Sequence, residues 1–181
     1  FMDGFIAGVN YWNEQNGDDV TVLGGRDPND PDSGTFTGNF ESTDDAAAFT
    51  AGMLDEGADV ILPVGGPIGG GTFAEIESSG AEAVGLGVDV DWAESAPDTT
   101  PFLLTSIIKR IDNSVFQAVE RAVNGEAPQA TFLSNLENEG VGIAPFHDYE
   151  DEIDQEVKDH IEEMTEMIIA GDLSPSDYYG E

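Results

Sequence analysis

Three side chains in this sequence have the types and the setting for ligand chemistry. Asp89 and Asp91 close the run Gly85-Leu86-Gly87-Val88-Asp89-Val90-Asp91-Trp92, and Lys109 stands in Thr105-Ser106-Ile107-Ile108-Lys109-Arg110. An apolar run (83–86) that leads into carboxylates reads as a buried strand emerging at its carboxyl end, the place where open α/β sheets bind ligands. Both aspartates are therefore expected at a cleft mouth. Lys109 and Lys158 are the lysines of a chain with 38 acidic residues, so a lysine beside an apolar helix start needs a local reason. A carboxylate accepts hydrogen bonds from hydroxyls and an ammonium donates to their oxygens, and together they suit a sugar's adjacent hydroxyls. The plainer alternatives are a helix cap or turn for the aspartates and a surface ion pair for Lys109.

A second feature is Gly65-Gly66-Pro67-Ile68-Gly69-Gly70-Gly71, which follows the apolar run 60–64 and precedes a helix expected to start near Thr72. A glycine-rich turn between strand and helix points backbone N–H groups at whatever occupies the helix N-terminus. It lacks the Gly-Lys-Ser/Thr of a Walker loop and the glycine spacing of a dinucleotide fold. Glycines serving turn geometry alone is the competing reading. Nucleophilic catalysis finds little support: there is no cysteine and no Gly-x-Ser-x-Gly elbow. His160 lies in an acidic, solvated helix, and His147, after Pro145-Phe146, reads as a hinge or loop residue.

The elements that must position these residues follow from period and punctuation. Phe1, Phe5, Val9 and Trp12 recur at helical spacing up to Asn16-Gly17. The run 20–24 reads as a short strand, 26–34 as an exposed loop and 35–40 as an edge strand. Ser42 or Thr43 caps a helix reaching Leu54, and Gly57 closes it. After the 60–64 strand, the glycine turn, its helix and the 83–91 segment comes an irregular loop, 92–101, and an extended piece, 102–105. A helix over 107–123 is expected to turn Ile107, Ile108, Ile111, Val115, Ala118, Val119 and Ala122 inward. Strands at 130–133 and 141–146 and an amphipathic helix over 151–170 complete the tally. Alternation of strand and helix is the signature of a mostly parallel sheet flanked by helices.

The 181 residues carry a net charge of −33, with five Lys and Arg in all and 39% hydrophobic residues. That charge far exceeds the magnitude of about 2 to 8 that suits a small domain. Disorder is one route to such a composition, but the clear periods argue for a fold. A folded protein this acidic resembles those of organisms living in molar salt, where charges are screened over about 3 Å. A halophilic source and a salt-dependent fold are expected. The same charge repels nucleic acid, whose binding requires Lys and Arg against phosphates. No apolar run approaches the roughly 20 residues of a membrane span. Because the chain begins Phe1-Met2-Asp3-Gly4, with neither a signal peptide nor an initiating methionine, a further N-terminal portion is expected in the native protein.

A series of short motifs then carries a resemblance: Phe1-x-x-Gly4-Phe5-x-Ala7-Gly8, Gly38-Asn39-Phe40, Gly57-Ala58-Asp59-Val60-Ile61 leading to Gly65-Gly66, Gly87-Val88-Asp89-x-Asp91, Thr105-Ser106-x-x-Lys109-Arg110-x-Asp112, and Gly140-Val141-Gly142-x-Ala144-Pro145-Phe146. In this order they resemble the basic membrane protein family, the purine-nucleoside-receptor-like lipoproteins that serve as substrate-binding subunits of ABC transporters. The resemblance implies a type I periplasmic-binding fold of two α/β lobes closing over a nucleoside. It implies that residues 1–181 form the second lobe with hinge segments and the C-terminal helix, the first lobe being absent. By matching motif, Asp89 and Lys109 hold ribose hydroxyls, Phe1 or Phe5 stacks on the base, and Gly65 and Gly66 line the pocket; Asp91 is a further candidate at the cleft mouth, and Trp92 beside the carboxylates either rims the pocket or covers the strand end. Neither catalysis, cofactor nor metal is implied. The implied partner is an ABC permease, and the implied setting is the cell surface, with membrane attachment through an N-terminal anchor outside this chain. The ligand-sensing domain of a transcription regulator, or a sugar receptor of the same fold, is the alternative.

Overall fold

The computed structural model describes residues 1–30, 32–127 and 131–180. Helix α1 (Met2–Asn16) ends where Gly17 adopts a left-handed conformation, the usual glycine stop. Helix α2 (Thr43–Asp55) is capped by Ser42, whose hydroxyl accepts the Asp45 N–H at 3.2 Å. Strand β1 (Val60–Ile61), helix α3 (Gly69–Ser79) and strand β2 (Val84–Asp89) form one strand-helix-strand unit. The four-residue helix α4 (Trp92–Ser95) and a 3-10 segment (Pro97–Phe102) lead to β3 (Leu103–Lys109). Helix α5 (Ile111–Val123), strand β4 (Val141–Ile143) and helix α6 (Gln155–Ala170) follow.

Among the described residues one sheet has the order β1-β2-β3-β4; β1, β2 and β3 are parallel and β4 is antiparallel to β3. Parallel neighbours need crossovers, here α3 and then α4 with its 3-10 extension. Two apolar clusters hold the layers together. Ile61, Ile76 and Ala83 are packed by Met53, Leu54 and Phe102, while Phe73, Trp92 and Leu103 form the second. The Phe73 and Trp92 rings lie 5.1 Å apart, an aromatic contact contributing about 0.5 to 1.5 kcal/mol beyond burial. Thr50 donates its hydroxyl to that of Thr72 at 2.9 Å, joining α2 to α3 in the interior.

The structure departs from the sequence expectations in several places, among them helix α5, whose Ile111, Val115 and Val119 are exposed rather than turned inward. Segments 20–24 and 35–40 form no strand, and among the described residues β1 pairs in the sheet with β2 alone. Residues 92–101 are largely helical rather than irregular. Ile107 and Ile108 belong to β3, paired with Val88 and Asp89, so α5 starts at Ile111 and Lys109 ends a strand. A β-branched run fits a pleated, half-buried strand better than a first helical turn. Residue 130 lies outside the described residues, and 131–133 form no strand.

Candidate functional site

The carboxyl ends of β2 and β3 are neighbours: Asp89 pairs in register with Ile108, and Lys109 follows it. This places an acid and an amine side by side at the rim of a parallel pair, with Lys109 Nζ 2.7 Å from Asp89 Oδ1. The distance is that of an ion pair, yet the approach is not aligned as a hydrogen bond, and the covered Oδ1 has no aligned donor. Asp89 adopts φ 74°, a left-handed conformation at the strand end. Its other oxygen, Oδ2, faces Gly66: a Cβ there would lie 4.0 Å from it, and nothing else is closer. The Asp89 side chain is 39% exposed although Oδ1 is covered, so Oδ2 is the carboxylate oxygen open to a ligand.

Above the pair lies the ring of Phe1, whose centroid is 4.9 Å from Lys109 Nζ. Such a cation over an aromatic face is attracted by the ring quadrupole. Phe1, Phe40, Val64, Gly65, Gly66, Pro67, Asp89 and Lys109 line a concavity of about 360 Å³, within the range of small-molecule sites. The site thus combines one acid, one amine and two aromatic side chains with the turn Gly65-Gly66, where Gly66 has φ 60°. Its chemistry is hydrogen bonding to hydroxyls beside an apolar wall.

Five of the eight residues singled out from the sequence meet here: Phe1, Gly65, Gly66, Asp89 and Lys109. Phe5 instead lines a larger adjoining groove of about 1280 Å³ between α1, α2 and β1. Asp91 is not at the concavity. Strand β2 ends at Asp89, and Asp91 caps α4 by accepting the Ala93 N–H at 3.0 Å. Both its oxygens also lie 3.0 Å from His147 Nε2. Trp92 is 7% exposed and belongs to the core; its ring N–H donates to the Val88 carbonyl at 3.0 Å and its backbone N–H to Ser106 Oγ at 3.1 Å. The indole fits because Gly69 and Gly87 lack a Cβ, which at either position would stand 2.9 Å from it. Phe40, Val64 and Pro67 complete the lining without having been singled out for it; Phe40 was legible only as part of Gly38-Asn39-Phe40.

Behind Asp91, the turn at 147–150 is fixed by charge. Lys158 Nζ lies 2.6 Å from both the Glu150 carbonyl and its Oε1. The Lys158 hydrogen bond, opposed by desolvation and helped to a smaller extent by the Phe146 N–H, the Lys158 charge and nearby His147, holds the Glu150 carboxyl below the usual carboxylate range.

Comparison with known proteins defines the class first. The fold matches an ABC transporter system solute-binding protein of Aeropyrum pernix K1 with TM-score 0.76 over 96% of this chain and 52% of that one, at 21% identity. A solute-binding protein of Conexibacter woesei matches with TM-score 0.62, 80% and 47% coverage and 18% identity. A transcriptional activator of the comK gene from Bacillus halodurans gives TM-score 0.65, 76% and 46% coverage and 20% identity. The chain therefore has the α/β architecture of periplasmic-binding-protein-like solute-binding proteins. Within that class it belongs to the Bmp family, described as ABC transporter substrate-binding protein PnrA-like, which matches residues 1–174. Proteins called CD4+ T-cell-stimulating antigen in Listeria monocytogenes and Listeria innocua are each 30% identical over 185 residues, covering 96% of this chain and 47% of theirs. The chain spans about half the length of these relatives. The family's role is binding rather than catalysis.

Proposed function

We propose that this chain is the second lobe, with hinge segments, of an extracytoplasmic substrate-binding protein of an ABC importer, and that it takes a nucleoside or similar ribose-containing ligand against a first lobe. The observation carrying this is Asp89: a carboxylate at φ 74° whose covered oxygen has no aligned donor, beside Lys109 and under Phe1, at the rim of a concavity. A cis-diol would donate to Oδ2 and accept from Lys109, and a base would lie against Phe1 or Phe40. Family membership supports delivery to a permease. None of the described helices is long and apolar enough to cross a membrane.

The test is calorimetry on the complete polypeptide in molar KCl, preceded by a thermal-shift screen of nucleosides and sugars. Binding of a nucleoside is expected. Asp89→Ala should weaken it by about 2 to 4 kcal/mol, roughly 30- to 1000-fold, because the ligand hydroxyls and Lys109 lose their acceptor. An unchanged affinity would remove Asp89 from the site, and a screen in which no nucleoside binds would remove the ligand class. A second reading, a ligand-sensing domain of a regulator, draws on the fold shared with the Bacillus halodurans activator. Recovery of the complete protein with the membrane fraction supports the importer reading; salt-sensitive binding to DNA supports the other.

A further inference from the structure

Helix α1 follows Phe1, one wall of the site, but is itself lightly held. Among its described residues Ala7 alone is buried, and Phe1 at the N-cap has no side-chain acceptor for the open N–H groups of the first turn. A helix end in that state frays. Fraying here would carry the Phe1 ring away from Lys109, whose Nζ lies 4.9 Å from the ring centroid.

What restrains the helix comes after α6. Gly171 ends α6 in a left-handed conformation, and segment 172–180 then meets α1. The Tyr178 carbonyl accepts the Asn10 side-chain N–H at 2.8 Å, and the Tyr178 and Tyr11 rings meet edge-on at 5.1 Å. The next residue reaches the first turn through an arginine: Arg26 Nε donates to the Tyr179 hydroxyl at 3.1 Å while Arg26 Nη2 donates to Asp3 Oδ2 at 2.7 Å. One planar guanidinium thus serves both, which the single ammonium of a lysine does not reproduce. Gly180, at φ 109°, backs onto Pro28, whose Cγ would stand 2.7 Å from a Cβ there, so the segment also touches the loop that carries Arg26. The family match ends at residue 174, and both tyrosines lie outside it.

We infer that Arg26 and Tyr179 are positioning residues for the concavity: segment 172–180 is a strap that, through Arg26 and Asp3, holds the first turn of α1 and so keeps Phe1 over Lys109. Stability is not its main effect, because the Arg26 and Asp3 side chains are 33% and 46% exposed and such a pair adds little to folding. The inference rests on the concavity being the ligand site, so one arm of its test needs no ligand.

In the complete polypeptide in molar KCl, para-fluorophenylalanine in place of Phe1 gives a fluorine resonance that reports the surroundings of that ring. With the thermal transition retained and no ligand present, Arg26→Ala and Tyr179→Ala should each move it part of the way toward its position in denaturant. Tyr179→Phe, which loses the hydroxyl alone, should move it less in the same direction and replaces the alanine variant if that one unfolds. Arg121→Ala, which removes the same charge from the pair with Glu126, should leave it in place. A resonance indifferent to the strap variants, or moved equally by Arg121→Ala, overturns the inference. The second arm is calorimetry with the nucleoside found by the screen. Arg26→Ala should weaken binding about fivefold, but less than about twofold where Phe1 is already alanine, because the two act as one unit. An unchanged affinity, or an equal loss in both backgrounds, overturns the inference. If no nucleoside binds, the ligand class fails, and the fluorine arm alone decides whether the strap places Phe1.

Discussion

Asp89 sits at φ 74°, a conformation that Asp and Asn tolerate better than most residues but that still has to be imposed by its surroundings. Stability is a poor reason for imposing it here. The ion pair to Lys109 has side chains 39% and 49% exposed, and such a pair contributes about 0 to 1 kcal/mol. The conformation is better explained by where it puts Oδ2, past Gly66 and toward the concavity. Asp89→Asn separates the two roles, since Asn keeps the left-handed tolerance and loses only the charge. Its unfolding free energy in molar salt should fall by less than about 1 kcal/mol, while affinity for the proposed nucleoside ligand falls measurably by calorimetry. A large loss of stability with unchanged affinity would make Asp89 structural. The place of Asp89 at the carboxyl edge of the sheet is readable from its apolar run, whereas Lys109, read from sequence as beside a helix start, meets it because β3 extends through Lys109. The fate of Asp91 and Trp92 is not readable: two residues beyond the strand, the chain has already turned into a capped helix, and capping leaves the same Asp-x-x signature as a site residue.

At the scale of elements, the glycine run 65–71 divides its work. Gly65 and Gly66 border the concavity, Gly69 makes room for Trp92, and Gly71 lets α3 approach α2. A Cβ at Gly71 would collide with the carbonyl of Thr43, a backbone atom that cannot swing aside. Gly71→Ala should therefore destabilise the fold by about 1 to 3 kcal/mol, although alanine is the better helix former. Thermal unfolding of the complete protein would show a lower midpoint; an unchanged or raised midpoint would mean that α2 and α3 separate freely. The sequence shows that these glycines matter for geometry but not which neighbour each one admits. Helix α5 shows a related limit. The spacing of Ile111, Val115 and Val119 predicts an apolar face turned to the sheet, yet those residues are exposed and the polar Asn113, Ser114 and Gln117 are half-buried; periodicity does not report which face meets the body of the chain. Similarly, the apolar run 20–24 has strand composition, but a strand exists only where a ladder partner is in register, and β1 offers just Val60–Ile61.

Over the whole molecule, the dominant physical quantity is a charge of −33 on 181 residues. The five Lys and Arg are mostly committed to local pairs: Arg26 lies 2.7 Å from Asp3, Lys109 2.7 Å from Asp89, Arg121 2.9 Å from Glu126 and Lys158 2.6 Å from Glu150. Most acids are therefore opposed only by solvent and counterions, and folding concentrates them on a smaller surface than the unfolded chain offers. The Debye length falls from about 10 Å at 0.1 M salt to about 3 Å at 1 M, so added salt should relieve this repulsion more in the folded state. The expected result is a thermal midpoint that rises steeply with KCl between about 0.1 and 1 M. Surface exclusion of a solute also favours compact states, so sucrose at matched water activity is the control. If sucrose reproduces the rise, screening is not the cause. Removing charge supplies the complementary arm: Glu162→Gln with Glu166→Gln, both on the exposed acid face of α6, should raise the midpoint at 0.1 M KCl and change it little at 1 M. A double variant whose effect is the same at both salt concentrations would show that those carboxylates act by local contacts and not through the field of the whole surface.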